Sequence, residues 1–187
     1  MATNVSADNV STGAPKVGGA VFYAPVGTAL PTDAKTPLDE AFLSVGYISE
    51  DGVTFSESRE SQDFKEWGGS IVGTQQTEKK DTVKFKMIEI LNVNALKAAY
   101  GTKNVTGDLT AGMTVDHTNS EPEELSWVFE MVMHGGILKR TVIPKAKITE
   151  LGDVNYKLED LAGLETTMQA LYVGNSSHKD YYLKPTA

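Results

Sequence analysis

The chain carries few groups that could do chemistry, and their spacing does not assemble a reactive site. Its histidines are His117, His134 and His178, isolated in sequence and outside any His-Glu-x-x-His spacing, which would put two ligands on one helix face. They read as surface or strand-end histidines, and no metal site is expected. There is no cysteine, which excludes a disulfide framework, a thiolate metal site and a cysteine nucleophile. The glycines at 13, 18, 19, 68, 69 and 73 form neither a Gly-x-x-x-x-Gly-Lys-Ser/Thr loop nor a Gly-x-Gly-x-x-Gly turn, and no Gly-x-Ser-x-Gly elbow occurs. No cofactor is expected.

Carboxylate pairs need a separate look, because two of them suffice for glycoside hydrolysis. Glu50-Asp51, the Glu121, Glu123 and Glu124 group, and Glu159-Asp160 all fall where turns or loops are expected. Each reads more simply as a solvated turn. No catalytic residue is assigned, and the chain is read as a structural protein without enzymatic activity. A β-barrel hydrolase would need two of these carboxylates facing each other in a cleft.

The tryptophans divide. Trp127 lies on the apolar face of an alternating segment and is expected in the core. Trp67 stands between Glu66 and Gly68-Gly69 in a polar stretch, residues 57–80, that also carries Phe64, Ile71 and Val72. Large apolar groups in a hydrophilic segment need something to pack on, and buried aromatic anchors dominate many interfaces. Phe64, Trp67, Gly68, Gly69, Ile71 and Val72 are therefore the candidate assembly interface, on a segment read as a long loop.

The elements that must hold this loop are mainly strands. Gly18–Pro25 and Ser44–Ser49 read as short strands. Asp51-Gly52 reads as a hairpin turn, since Gly supplies positive φ, and Val53–Ser56 as the returning strand. In residues 82–90, Val83, Phe85 and Met87 share one face and Lys84 and Lys86 the other. Asn92 before Val93–Tyr100, with Gly101 after it, predicts one short helix docked through Leu96, Ala99 and Tyr100. Thr114–Asn119 reads as a short strand. Leu125, Trp127, Phe129, Met131 and Met133 alternate with the residues between them, the strongest period-2 pattern present. Gly135-Gly136 then signals a turn, and residues 137–151 return with Pro144 at a bend. Residues 164–173 and Lys179–Leu183 complete the strands. Lys139-Arg140 with Lys145 and Lys147 reads as a solvated face.

The fold class is mainly β: a β-sandwich or partly closed barrel, one short flanking helix, a long loop and extended termini. Residues 1–16 read as an N-terminal arm and 17–187 as a single domain with an inter-subunit loop at 57–80. At 187 residues the chain is long enough for a substantial core. It is 40% hydrophobic and 22% charged, a globular composition. A formal net charge of −8 argues against a sequence-independent nucleic-acid binder, which needs a basic face. The N-terminus lacks the basic and apolar regions of a secretory signal, and no apolar run is long enough to cross a bilayer, so use without export and without a membrane partner is expected.

An ordered set of segments adds a likeness. Gly19-Ala-Val-Phe-Tyr-Ala-Pro-Val-Gly-Thr-Ala-Leu-Pro-Thr-Asp33 is followed by Gly46-Tyr-Ile-Ser-Glu-Asp-Gly-Val-Thr54 and Phe64-Lys-Glu-Trp-Gly-Gly69. Then come Phe85-Lys-Met-Ile-Glu89, Asn92-Val-Asn-Ala-Leu-Lys-Ala-Ala-Tyr-Gly101, and Lys139-Arg140 leading to Pro144. In this order they resemble the major tail tube proteins of long, non-contractile-tailed bacteriophages, particularly those of actinobacteria. The resemblance implies hexameric rings stacked into a tube, joined strands lining a channel, and a loop and arms that reach neighbouring rings. It implies further copies of the chain, tape measure and tail-terminator proteins as partners, and double-stranded DNA passing without specific binding. The place would be the virion tail, assembled in the host bacterial cytoplasm. The acidic total would suit a wall past which DNA slides. A carbohydrate-binding or adhesion β-sandwich is the alternative, with Trp67 in an aromatic platform.

Overall fold

The structure is a computed structural model and describes residues 5–16 and 19–185. Eleven strands and one α-helix are present among them. The strands are β1 (Gly13–Pro15), β2 (Val21–Pro25), β3 (Leu43–Ser44), β4 (Ile48–Lys65), β5 (Ile71–Met87), β6 (Val105–Asp108), β7 (Gly112–Val115), β8 (Glu124–Met133), β9 (Leu138–Leu151), β10 (Leu164–Ala170) and β11 (Lys179–Leu183). Helix α1 (Val93–Tyr100) follows β5. The larger sheet runs β3-β2-β8-β9-β10-β5-β4, with β1 against β8 and β11 against β9. β6 and β7 form a separate hairpin. The sheets are not closed, consistent with a sandwich.

The core follows from alternation. Val83, Phe85 and Met87 of β5 point inward to meet Leu164 and Met168 of β10, Ile148 of β9, and Trp127 and Phe129 of β8. Phe55, Phe85, Phe129 and Trp127 form edge and stacked contacts at 5.3–6.5 Å. Such pairs add to the area that they bury. Helix α1 is too short to stand alone and docks here through Ala95, Leu96, Ala98 and Ala99. The Asn92 side chain caps it by accepting from the Asn94 amide at 2.9 Å, and Gly101 at φ +97° closes it.

β8 is buried on both faces from Leu125 to Glu130, so its alternation separates two cores and not a core from solvent. Val128, with Ala24 and Val142, packs under Phe42, Leu30 and Leu38 of the segment between β2 and β3. Pro144 lies inside β9 against β8, and on the other side of β9 it falls in the gap between the β11 pairing, which ends at Val142, and the β10 pairing, which begins at Ala146. A bulge accommodates it: the register jumps between Leu125 and Trp127, and the Ser126 hydroxyl donates to the Pro144 carbonyl at 2.7 Å.

Three readings change. Asp51-Gly52 is no hairpin turn. β4 runs through it, and residues 49–52 form a wide bulge between the Ile48–Met87 and Val53–Phe85 pairs. Gly52 still takes the positive φ expected of it, +72°, so the local chemistry was legible and its topological use was not. Arg140 is not on a solvated face. Its side chain is 2% exposed and donates through Nε to Glu130 Oε1 at 2.8 Å, with Nη2 on the same carboxylate. Nη1 donates to the carbonyls of Asp33 and Thr36, each at 2.8 Å. Lys16 Nζ reaches Glu130 Oε2 at 2.8 Å. One ion cluster thus ties β8 and β9 to the covering segment and to the arm. Residues 57–80, read as a loop, are the far ends of β4 and β5 and the short turn that joins them.

Gly13–Pro15 of the arm are docked on their own chain. β1 pairs Gly13 with Met133 and Pro15 with Met131. Residues 1–4 of the expected arm lie outside the described residues.

Asp33 gives a pH expectation. Its carboxylate accepts from the Thr36 hydroxyl at 2.5 Å and from the Thr36 and Lys35 amides at 2.6 and 2.7 Å. These bonds, with the Arg140 charge nearby, hold its pKa down to about 2, against 3.8 ordinarily. A depressed carboxylate stabilises the fold fully above its unfolded pKa and loses that contribution as pH falls through the folded one. The turn at 33–36 is therefore expected to hold at pH 4 and loosen between about pH 4 and pH 2. Carboxyl chemical shifts followed by NMR through that window would check it. An Asp33 midpoint near 3.8 would contradict it.

Candidate assembly hairpin

β5 is flanked by β10 only from Asp81 onward, since Asp81 pairs with Ala170. Before Asp81, β4 is the strand's only paired strand among the described residues. The register runs from Ser58–Lys80 to Lys65–Ile71, an antiparallel ribbon that leaves the sheet and projects. At ~3.4 Å per residue it extends roughly 25 Å. Bulges at Glu60/Ser61 and Phe64/Lys65 interrupt it, and bulges raise local twist.

The ribbon is built from polar pairs. At its base, Glu57 holds Arg59 at 2.6 Å and Lys79 at 3.0 Å. These bonds, Lys79 first, lower the Glu57 pKa and raise that of Lys79. Lys79 also lies 3.4 Å from the buried Asp81 and 5.7 Å over the Tyr172 ring. Farther out, the Thr74 hydroxyl donates to Asp63 at 3.0 Å.

The turn is organised by one residue. The Glu66 carboxylate accepts from the amides of Gly68 at 2.7 Å and Ser70 at 3.1 Å, and its pKa is lowered by those bonds. The Glu66 amide donates to the Ser70 carbonyl, and the Gly69 amide to the Glu66 carbonyl, each at 2.9 Å. Gly69 sits at φ +90°, which a side chain would strain. This turn leaves Trp67 fully exposed.

All six candidate interface residues therefore lie at one tip. Phe64, Ile71 and Val72 are also exposed, between 46% and 67%. An isolated two-stranded ribbon is marginal in water, and a cluster of large apolar groups on its end is a surface that a partner would cover. Sequence reading found these side chains but not their geometry. The ribbon is wet on both faces, so it lacks the apolar alternation that marks a half-buried strand.

Elsewhere the titratable groups serve local structure. His117 packs edge-on to Tyr100 at 4.8 Å, and His178 Nδ1 lies 3.0 Å from the Ser177 hydroxyl. Glu123 accepts from Thr102 N and Oγ1 at 3.1 and 3.0 Å. Glu121 pairs with Lys147, and Glu124 with Lys145. Among the described residues no group of three His, Cys, Asp or Glu side chains could hold a metal ion. No described helix is long and apolar enough to cross a membrane.

Comparison with known proteins then supplies the biological frame. No curated protein matches the chain. A family model described as phage tail tube protein matches residues 5–186, nearly the whole chain. The chain belongs to the phage tail tube protein family and is a structural component of the virion tail.

Proposed function

We propose that the chain self-assembles into hexameric rings that stack into the phage tail tube, the channel for DNA delivery, and that the β4–β5 hairpin carries the contacts between copies. The supporting observation is the projecting ribbon, whose Phe64, Trp67, Ile71 and Val72 side chains are left in water. A second feature agrees. β4 has β5 on one side and no strand on the other among the described residues, so the sheet ends in a long open edge. Monomeric proteins guard such edges. Strand addition by the next copy would remove this one and close the ring. Tape measure and tail-terminator proteins would meet the finished tube, assembled in the host cytoplasm.

Sedimentation of the purified chain across a concentration series tests this reading. Growth from monomer to ring-sized and larger species is expected. A single monomeric species at every concentration, also with the other tail components added, would overturn it.

A further inference from the structure

A cavity of about 700 Å³ opens at the end of β4 opposite the hairpin tip. Residues 13–16 of the arm form one rim and residues 46–53 the other, with Ala20 and Met131 between them. Neither rim is closed by a ladder. β1 pairs with β8 and with no other strand among the described residues, and residues 49–52 stand outside the β4–β5 register.

The second rim is held from behind. The Glu89 carboxylate accepts from the Tyr47 amide at 2.8 Å, and the Ile88 amide donates to the Tyr47 carbonyl at 3.1 Å. At Gly46, φ +81°, the chain runs so close to that carboxylate that a Cβ would lie 2.1 Å from it. The rim is therefore preformed, and it leaves the Tyr47 ring exposed beside the cavity.

The lining is mainly small and apolar, and its free charge is negative. Lys16 is taken up by Glu130. Glu50 and Asp51 have no ion-pair partner among the described residues, and Asp51 accepts only from the Ser49 hydroxyl at 3.1 Å.

The hairpin tip is the complement. Phe64, Trp67, Ile71 and Val72 are exposed there. Glu66 is spent on the amides of Gly68 and Ser70. Lys65 has no ion-pair partner among the described residues, so the free charge of the tip is positive. Cavity and tip lie at opposite ends of one strand, roughly 40 Å apart at ~3.4 Å per residue. A tip cannot fill the cavity of its own chain.

We infer that this cavity receives the β4–β5 tip of a second copy, with Trp67 entering beside Tyr47 and Met131 and Lys65 meeting Glu50 and Asp51. This rests on the self-assembly reading above and names the surface that the tip meets. Aromatic anchors supply most binding energy when they fill such pockets. The paired charges fix the register and exclude the wrong approach. Knob and hole on different parts of one chain make a heterologous contact, which repeats from copy to copy.

Charge exchange tests the match on the full chain. Lys65→Glu alone, and Glu50→Lys with Asp51→Lys alone, are each expected to raise the concentration needed for assembly about tenfold or more, since like charges then meet. All three side chains are exposed, so the unfolding midpoints should stay with that of the unmodified chain. An equal mixture of the two variants is expected to assemble near the original concentration, because each tip then finds the opposite charge in the other's cavity. A mixture no better than its parts, or single variants that assemble like the unmodified chain, would overturn the assignment. Ser49→Cys and Ser70→Cys, made separately in a chain that has no other thiol, give a second readout should a reversed chain fail to fold. Tubes grown from their mixture and treated with a short bis-maleimide are expected to yield a crosslinked pair that neither variant yields alone. Absence of that pair would place the tip elsewhere. Failure of the unmodified chain to assemble would instead count against the function proposed above.

Discussion

Arg140→Ala is expected to destabilise the folded chain by about 3–5 kcal/mol, the cost of breaking a buried ion pair by removing one partner. That is a large share of a typical domain's stability of about 5–15 kcal/mol. The reason is specific to the site. The Glu130 side chain is 7% exposed, and without Arg140 it keeps only Lys16 as an ion-pair partner among the described residues, itself part-exposed on a short docked arm. The carbonyls of Asp33 and Thr36 lose their donor at the same time, so the segment covering Val128 and Val142 loses its anchor. Denaturant unfolding at neutral pH would read the effect as a lower midpoint. The pair Arg140→Met with Glu130→Leu should recover much of the loss, since two apolar groups leave no charge unpaired. A loss below about 1 kcal/mol for Arg140→Ala would mean that water replaces the guanidinium, and the cluster would not be the clamp described here.

The second large effect is on assembly and not on folding. Replacing residues 60–78 by Asn-Gly closes the ribbon at the Arg59–Lys79 pair with a two-residue turn. The removed residues pair only with one another, and none belongs to either core cluster. The shortened chain is expected to keep its unfolding midpoint while losing association completely. Trp67→Ala should weaken association in the same direction, since an exposed side chain contributes little to the monomer and aromatic anchors are frequent hot spots. If the shortened chain fails to fold, the ribbon stabilises the domain and its role as a free assembly element is wrong.

These two expectations fall on opposite sides of what the sequence made legible. Helix α1 was readable to its ends, because Asn92, a run of helix formers and Gly101 are local signals. The Leu125–Met133 pattern and Gly135-Gly136 announced the β8–β9 hairpin, because a buried face writes its period into the chain. The ribbon at 58–80 was not readable as strand, because water covers both of its faces and selects no period. Arg140 looked like part of a basic run until Glu130, ten residues earlier in the chain, appeared opposite it in the β8–β9 register. Asp51-Gly52 carried the right local signal, positive φ, which a bulge uses as readily as a hairpin. The candidate interface was found for a physical reason that survives this change: Trp67 and its apolar neighbours had nothing nearby in sequence to pack on. What the structure adds is that they stand together on the end of a ribbon with no packed neighbour there among the described residues.

Negative-stain electron microscopy of the purified chain, beside the variant with the shortened hairpin, tests the central claim most directly. Rings and hollow tubes are expected from the unmodified chain at high concentration, and dispersed single particles from the variant. Dispersed particles from both, or tubes from both, would contradict the assignment of assembly to the β4–β5 hairpin.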